Sequence, residues 1–276
     1  MTAAPRTRPA PSSPPAGRPA GRGLHATARI VATAEAGSTR FPLLQGDGPL
    51  DLRRLRPDGP RARLCLLNAM SSPHNGDRLR VEVTIGPGAD VYITSAAATV
   101  ALPGPAPGHA CYDVVLRVEE SARLRWLPEP VVSVSGSDLR QSIRVELAPT
   151  ARLLLGEQQI LGRAHEPTGR LDSRLSVRCD GRTLLDQHTV YGPGAPGWDG
   201  PAVLAGNRAT GQLLLIDPAI EDPSCVRLLG GTPVEGHGVI VPLPGPGRLL
   251  TAVAPDAGVL RRLFDAALCH LGFSDG

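Results

Sequence analysis

Three carboxylates are the first candidates for chemistry in this chain: Asp77, Glu157 and Asp186. Asp77 follows a turn and precedes an alternating apolar segment. Glu157 comes two residues after the last apolar position of another such segment, and Asp186 sits between Leu185 and Gln187. Taken singly, an acid at a strand end is a surface or turn residue. If the strands stack, the three converge on one interior path. A carboxylate there is costly unless it is hydrogen-bonded, paired or holding a cation. Two carboxylates on a stacked β fold are also the machinery of glycoside cleavage. Against that reading, three Tyr, three Phe and two Trp cannot supply the aromatic rows that stack on sugars.

Other constellations are weaker. "HEPTG" at His165 lacks the second histidine of a zinc-protease helix and contains a proline. "SVSGS" around Ser135 is not a nucleophile elbow. "HAC" puts His109 and Cys111 on one strand face, but just past a Pro/Gly loop; Cys269 and His270 adjoin in the terminal segment. The five cysteines (Cys65, Cys111, Cys179, Cys225 and Cys269) are scattered, odd in number and free of any CxxC pair. Reduced thiols in a cytoplasmic protein are the expectation. The chain contains no lysine, all 29 basic residues being arginine. That excludes a Walker-A phosphate loop, Schiff-base chemistry and a kinase-type lysine. Net charge is +3 with no basic run, so nucleic acid is not an expected partner. No segment reads as membrane-spanning. Residues 1–22 are rich in Pro and Arg and lack an apolar stretch, which reads as a disordered tail, with one domain over 23–276.

The elements that must position the acids repeat. "VEVTIGPGADVYI", "VLRVEESARLRWL" and "IRVELAPTARLLL" align on Ala89, Ala122 and Ala151, spaced by 33 and 29 residues. Eight, six and four residues before the anchors stand Val81, Val83, Ile85, then Val114, Leu116, Val118, then Ile143, Val145, Leu147. Two and four residues after them stand Val91, Ile93, then Leu124, Trp126, then Leu153, Leu155. All are apolar, and period two means strands with one buried face. Each unit is strand, tight turn, strand, and its stripe is buried only by stacking on neighbours. A looser fourth copy centres on Thr183, with Leu175, Val177, Cys179 and Leu185 in register and Gln187 breaking it. The expected fold is mainly β, with stacked strand repeats in β-helix-like layers; a regular β-sandwich binding module is the alternative. Beyond residue 200, "QLLLID", "VIVPL" and "RLLTAVA" read as strands. "PDAGVLRRLFDAALCHLG" then changes to helical period, with Val259, Leu260, Leu263, Phe264, Ala267, Leu268 and Leu271 on one face, Pro255-Asp256 as start and Gly272 as stop.

These segments together resemble one family. "GDRLRVEVTIGPGADVYIT" is similar to the Gly-Asp turn and following strands of the UreD (UreH) urease accessory proteins. "ARLRWLPEPVV" resembles their most specific piece, "ARLLLGEQQILGR" their strand ending in Gly-Arg (here Gly162-Arg163), and "LLTAVAPDAGVLRRLFDAAL" their terminal strand and helix. Order and spacing agree from about residue 23 to 271. The resemblance implies a helical stack of strands with two helices and no enzymatic activity. It implies a scaffold between the urease structural subunits and two accessory partners, an F-type adaptor and a G-type GTPase. No cofactor is tightly bound on this reading; nickel is in transit along acidic positions that fall on Asp77, Glu157 and Asp186, with Thr99 lining the same channel. Oxygen ligands suit such a role, holding nickel less tightly than thiolate or imidazole clusters. The scaffold role also implies exposed apolar surface. Three stretches depart from the family pattern: "SSPHNGD" before the first strand, "ATVALPG" after the first unit, and a short segment after Gly162-Arg163, with Glu166 in place of a Gly-Glu.

Overall fold

A computed structural model describes residues 23–220 and 226–273. The Pro/Arg-rich stretch 1–22 and Cys225 lie outside the described residues. In chain order the strands are β1 (His25–Glu35), β2 (Ser38–Gln45), β3 (Leu50–Asp58), β4 (Arg61–Asn68), β5 (Arg78–Ile85), β6 (Asp90–Ser95), β7 (Thr99–Ala101), β8 (Ala110–Val118) and β9 (Arg123–Trp126). They continue as β10 (Val131–Ser133), β11 (Asp138–Leu147), β12 (Arg152–Leu161), β13 (Arg170–Cys179), β14 (Arg182–Tyr191), β15 (Ala209–Ile216), β16 (Arg227–Gly230), β17 (His237–Pro242) and β18 (Gly247–Ala254), followed by helix α1 (Ala257–His270).

The strands join into two facing sheets. A seven-stranded sheet runs β14-β13-β11-β8-β5-β1-β2; an eleven-stranded sheet runs β16-β17-β18-β15-β12-β9-β6-β4-β3, with β10 paired beside β12 and β7 beside β10. Each repeat turns a corner from the first sheet to the second: β5 to β6, β8 to β9, β11 to β12. Within each sheet successive repeats lie parallel. That is a solenoid-like stack; a sandwich built from hairpins would pair the two strands of each repeat with each other. The register matches the repeat alignment residue for residue. Val81 pairs with Val114, Val114 with Ile143, and Ile143 with Leu175. Across the corner, Val91 pairs with Leu124 and Leu124 with Leu153. All fifteen repeat positions are buried, each removing an apolar side chain from water for about 1.5–3 kcal/mol.

The corners explain the anchors. The amide N–H groups of Ala89, Ala122 and Ala151 donate to the carbonyls of Gly86, Glu119 and Ala148, closing the same four-residue turn three times at 3.1, 3.1 and 3.0 Å. The anchor methyl is buried in the apolar core at all three levels, where a larger side chain would overpack it.

The fourth copy departs from this plan. Its first strand, β13, keeps register with β11, but β14 folds back antiparallel beside β13 in the same sheet. The cause is local. Asp180 (φ 49°) and Gly181 (φ 70°) are both left-handed, the geometry of a two-residue hairpin turn rather than of a corner.

β15, β17 and β18 then extend the eleven-stranded sheet antiparallel, and α1 covers its outer face. Asp256 caps α1, its carboxylate accepting from the Val259 amide at 2.8 Å. Gly272 (φ 82°) ends it, with the Phe273 amide donating back to the Leu268 carbonyl. Val259, Leu260, Leu263, Phe264 and Ala267 form its buried face. This is the one α-helix among the described residues, where the family resemblance implied two.

Candidate functional site

One level of the stack interior is polar. Leu79, Tyr112, Gln141, Ser173 and Thr189 are register partners along the seven-stranded sheet. Tyr112, Gln141 and Ser173 thus take the inward-facing positions immediately before the apolar row Val114–Ile143–Leu175. Opposite them, in the eleven-stranded sheet, Glu157 pairs with Gln212, and Gln159 with Thr210. Glu157 is 4% exposed. Three donors converge on its Oε1: Ser173 Oγ at 2.7 Å, Gln159 Nε2 at 2.8 Å and Gln141 Nε2 at 3.0 Å. Burial raises its pKa above the usual carboxylate range, and the hydrogen bonds from Ser173 and Gln159 partly oppose that. Burial also pushes the Tyr112 hydroxyl up to about 12, so it stays neutral.

This level has acceptors to spare. Gln141 Oε1 and Gln212 Oε1 are buried without a hydrogen-bond partner, as is the indole Nε1 of Trp126. Buried amide oxygens left unpaired are costly, and a carboxylate beside them adds oxygen ligands of the type a hard or borderline divalent ion takes. The residues therefore fit a cation in its oxygen-ligated form. They do not make a closed site: among the described residues no group of three or more His, Cys, Asp or Glu side chains could hold a metal ion.

Glu157 also faces a break in the sheet. Trp126 pairs with Leu155 and Val131 with Gln159, so Leu127–Pro130 spans the edge opposite Gly156–Gln158 with one residue too many. Pro128 and Pro130 bring no amide N–H to a ladder. The strand bulges away, and a cavity of 40 Å³ runs from Glu157 and Gln141 past Trp126 and Thr99 to Ser95, Glu129 and Gln158. That is room for about one or two water-sized guests. It is too little for a sugar ring.

The sequence-predicted residues separate accordingly. Glu157 and Thr99 line the same cavity, Thr99 lying in one sheet row with Val131 and Gln159. Asp77 is buried but belongs to a different hollow, beside Leu24, His74 and Pro105. Both of its oxygens are engaged by backbone, Oδ1 by the Leu24 amide and Oδ2 by the His74 amide, each at 2.8 Å. It fastens the turn into β5. Asp186 is not brought to the interior at all. The Asp180-Gly181 hairpin places it on the outer face of the seven-stranded sheet, exposed and bound to Arg174 at 2.7 Å. That guanidinium holds its pKa below the usual value.

The remaining candidates carry no site. Arg78 donates to Cys111 Sγ at 2.7 Å, and burial, then the Arg140 charge, pulls the pKa of His109 down. Two guanidinium groups make that face hostile to a cation. Glu166 is bound by Arg163 and held at about 2 by that hydrogen bond. Cys65, Cys111, Cys179 and Cys269 are free thiols. Sequence reasoning passed over Gln141, Gln159, Ser173 and Gln212. The signal was in the repeat itself: ten residues before the anchors stand Leu79, Tyr112 and Gln141, and six after them Ser95, Pro128 and Glu157.

Apolar side chains are exposed on the hairpin region of β16. Leu228 is 77% and Val234 76% exposed, with Val226 beside them. β16 is an edge strand without proline, whereas the edge strands β2 and β3 carry Pro42 and Pro57.

The architecture defines a solenoid-like β protein whose polar interior level is built around the enclosed carboxylate of Glu157. A family profile described as UreD urease accessory protein matches residues 24–272. The chain is 55% identical to urease accessory protein UreD 2 of Saccharopolyspora erythraea over 268 residues, covering 97% of this chain and 92% of that protein. It is 51% identical over 253 residues to urease accessory protein UreD of Streptomyces avermitilis, covering 91% and 98%. To UreD 3 of Streptomyces griseus it is 55% identical over 254 residues, covering 90% and 97%. The chain belongs to the UreD urease accessory protein family.

Proposed function

We propose that this protein serves urease maturation as a non-catalytic cytoplasmic scaffold. It joins the urease structural subunits to an F-type adaptor and, through it, to a G-type GTPase, and it passes nickel through its interior at Glu157. The GTPase supplies the nucleotide chemistry that a lysine-free chain lacks. The observation that carries the reading is the buried Glu157, with Thr99 in the same cavity and with unpaired Gln141 and Gln212 oxygens at its level. A divalent ion arriving at the break beside Leu127–Pro130 meets carboxylate, hydroxyl and amide oxygens. These replace part of its water shell without a thiolate or imidazole to trap it. Burial raises the pKa of Glu157, so a proton competes with a cation for this carboxylate more strongly than at a solvated one, which favours release once the ion moves on. Asp77 and Asp186 are outside this path. The exposed apolar hairpin at β16 supports a role in protein contacts.

The test is co-expression of Glu157→Gln with the urease structural subunits and the accessory partners. The expected result is an intact complex with urease low in nickel and in activity. Nickel content and activity equal to those of the unsubstituted protein would remove Glu157 from the path.

A further inference from the structure

The outer end of the cavity holds a second carboxylate whose charge is cancelled. Glu129 stands between Pro128 and Pro130, which fix the backbone on either side, and its amide donates to Ser95 Oγ at 2.9 Å. The segment is thus held in place while the side chain stays 33% exposed at the cavity mouth. Arg261 Nη2 donates to Glu129 Oε2 at 2.6 Å. The guanidinium comes from α1, and α1 is positioned by other contacts. Phe264 lies so close to Gly156 and Gly211 that a Cβ there would stand 3.6 Å and 2.8 Å from its ring. The helix is also part of an apolar cluster with Leu213, Leu250 and Ala252. A pair as exposed as Arg261–Glu129 holds its partners weakly. Docking of the helix therefore places the charge, and the charge does not place the helix.

We infer that Arg261 is an electrostatic gate on divalent cations: paired with Glu129, it neutralises the outermost carboxylate of the path and slows the passage of cations to Glu157. The inference rests on the cation-path reading of Glu157. With Arg261 in place an arriving dication meets a neutral pair. Without it, the dication meets a free carboxylate fixed at the mouth. Anything that draws Arg261 off Glu129, such as an acidic side chain of a docked partner, opens the same route.

Trp126 reports on this directly, because it lines the cavity and the chain has only one other tryptophan, Trp198. In full-length protein carrying Trp198→Phe, nickel ion is mixed rapidly and quenching of Trp126 fluorescence is followed. Arg261→Gln is expected to raise the quenching rate on the order of fivefold at low salt, with the gain shrinking at high ionic strength. Arg261→Lys keeps the charge and stays near the unsubstituted rate, while Glu129→Gln slows quenching. Thermal melts of each variant check that α1 remains docked. Quenching that is lost in Glu157→Gln but equally fast with and without Arg261 would overturn the gate and leave the path standing. No quenching in the Trp198→Phe protein itself would overturn the path, and the gate with it.

Discussion

Replacing Glu157 by Gln and by Leu separates what this residue does for the fold from what it does for the proposed path. The side chain accepts three hydrogen bonds on one oxygen, from Gln141, Gln159 and Ser173. Glu157→Gln keeps an acceptor oxygen for those donors and removes the ionisable group. Glu157→Leu leaves all three donors buried and unpaired. At about 1–3 kcal/mol for each stranded polar group, the leucine variant loses about 3 kcal/mol or more. For a chain of this size that lowers the melting temperature by about 6–12 °C. The glutamine variant behaves differently, and its sign follows from linkage. Burial raises the pKa of Glu157 in the folded state, so between the ordinary carboxylate range and that raised value the folded protein holds a proton that the unfolded chain has released. Stability contributed by this group is complete below the unfolded pKa and is lost as pH rises through the folded one. Glu157→Gln lacks that loss. It should melt close to the unsubstituted protein at acidic pH and above it at pH 8, with the gap widening as pH rises. Calorimetry across that range is the assay. A gap that is constant with pH, or one that closes as pH rises, would refute a buried, proton-bearing Glu157. A Glu157→Leu variant as stable as the glutamine one would refute the hydrogen-bond geometry.

Three further outcomes follow from the same structure. Asp186→Asn should leave urease nickel content and the melting temperature essentially unchanged, because its pairing with Arg174 is exposed; a fall in nickel content would put Asp186 back on the path. Gly211→Val should cost about 1–3 kcal/mol in chemical denaturation, since a Cβ there would lie 2.8 Å from the Phe264 ring and from the Glu157 carbonyl oxygen; unchanged stability would contradict the docking of α1. Leu228→Glu should reduce binding of a hydrophobic dye while leaving stability within about 0.5 kcal/mol, and dye binding that stays the same would show that β16 is not the exposed apolar surface.

Much of the fold was legible because burial in a stacked repeat acts on every second residue. Val81, Val114 and Ile143 are apolar in sequence for the same reason that they are partners in space. The corner alanines were legible because three copies share one turn. Where two patterns competed, the shorter-range one prevailed. Leu175, Val177 and Cys179 continue the repeat, but Asp180-Gly181 is a hairpin signal, and a turn acts before any long-range stacking can form. That one dipeptide carries Asp186 to the outer surface, so an acid at the right offset is no guide once the corner has changed type. The edge strand β16 was not anticipated either, because four residues of "RLLG" carry too little alternation to read.

The site was half legible. Glu157 was visible as an acid on an apolar strand, yet its meaning depends on neighbours that no local pattern assembles. Gln141 and Ser173 come from two further strands, and Gln212 lies 55 residues along the chain from Glu157. The break beside it depends on a count, with the segment between Trp126 and Val131 one residue longer than the one it faces. This gives "WLPEPVV" a physical reading. Its two prolines and extra residue are what a strand needs in order to leave the ladder beside a buried carboxylate and to hold Glu129 at the opening. Filling that gap should be more damaging to ion passage than to stability, because the ladder bonds are already absent there. The path, on this reading, is a fault in the repeat, kept open by the residues that most clearly mark the family.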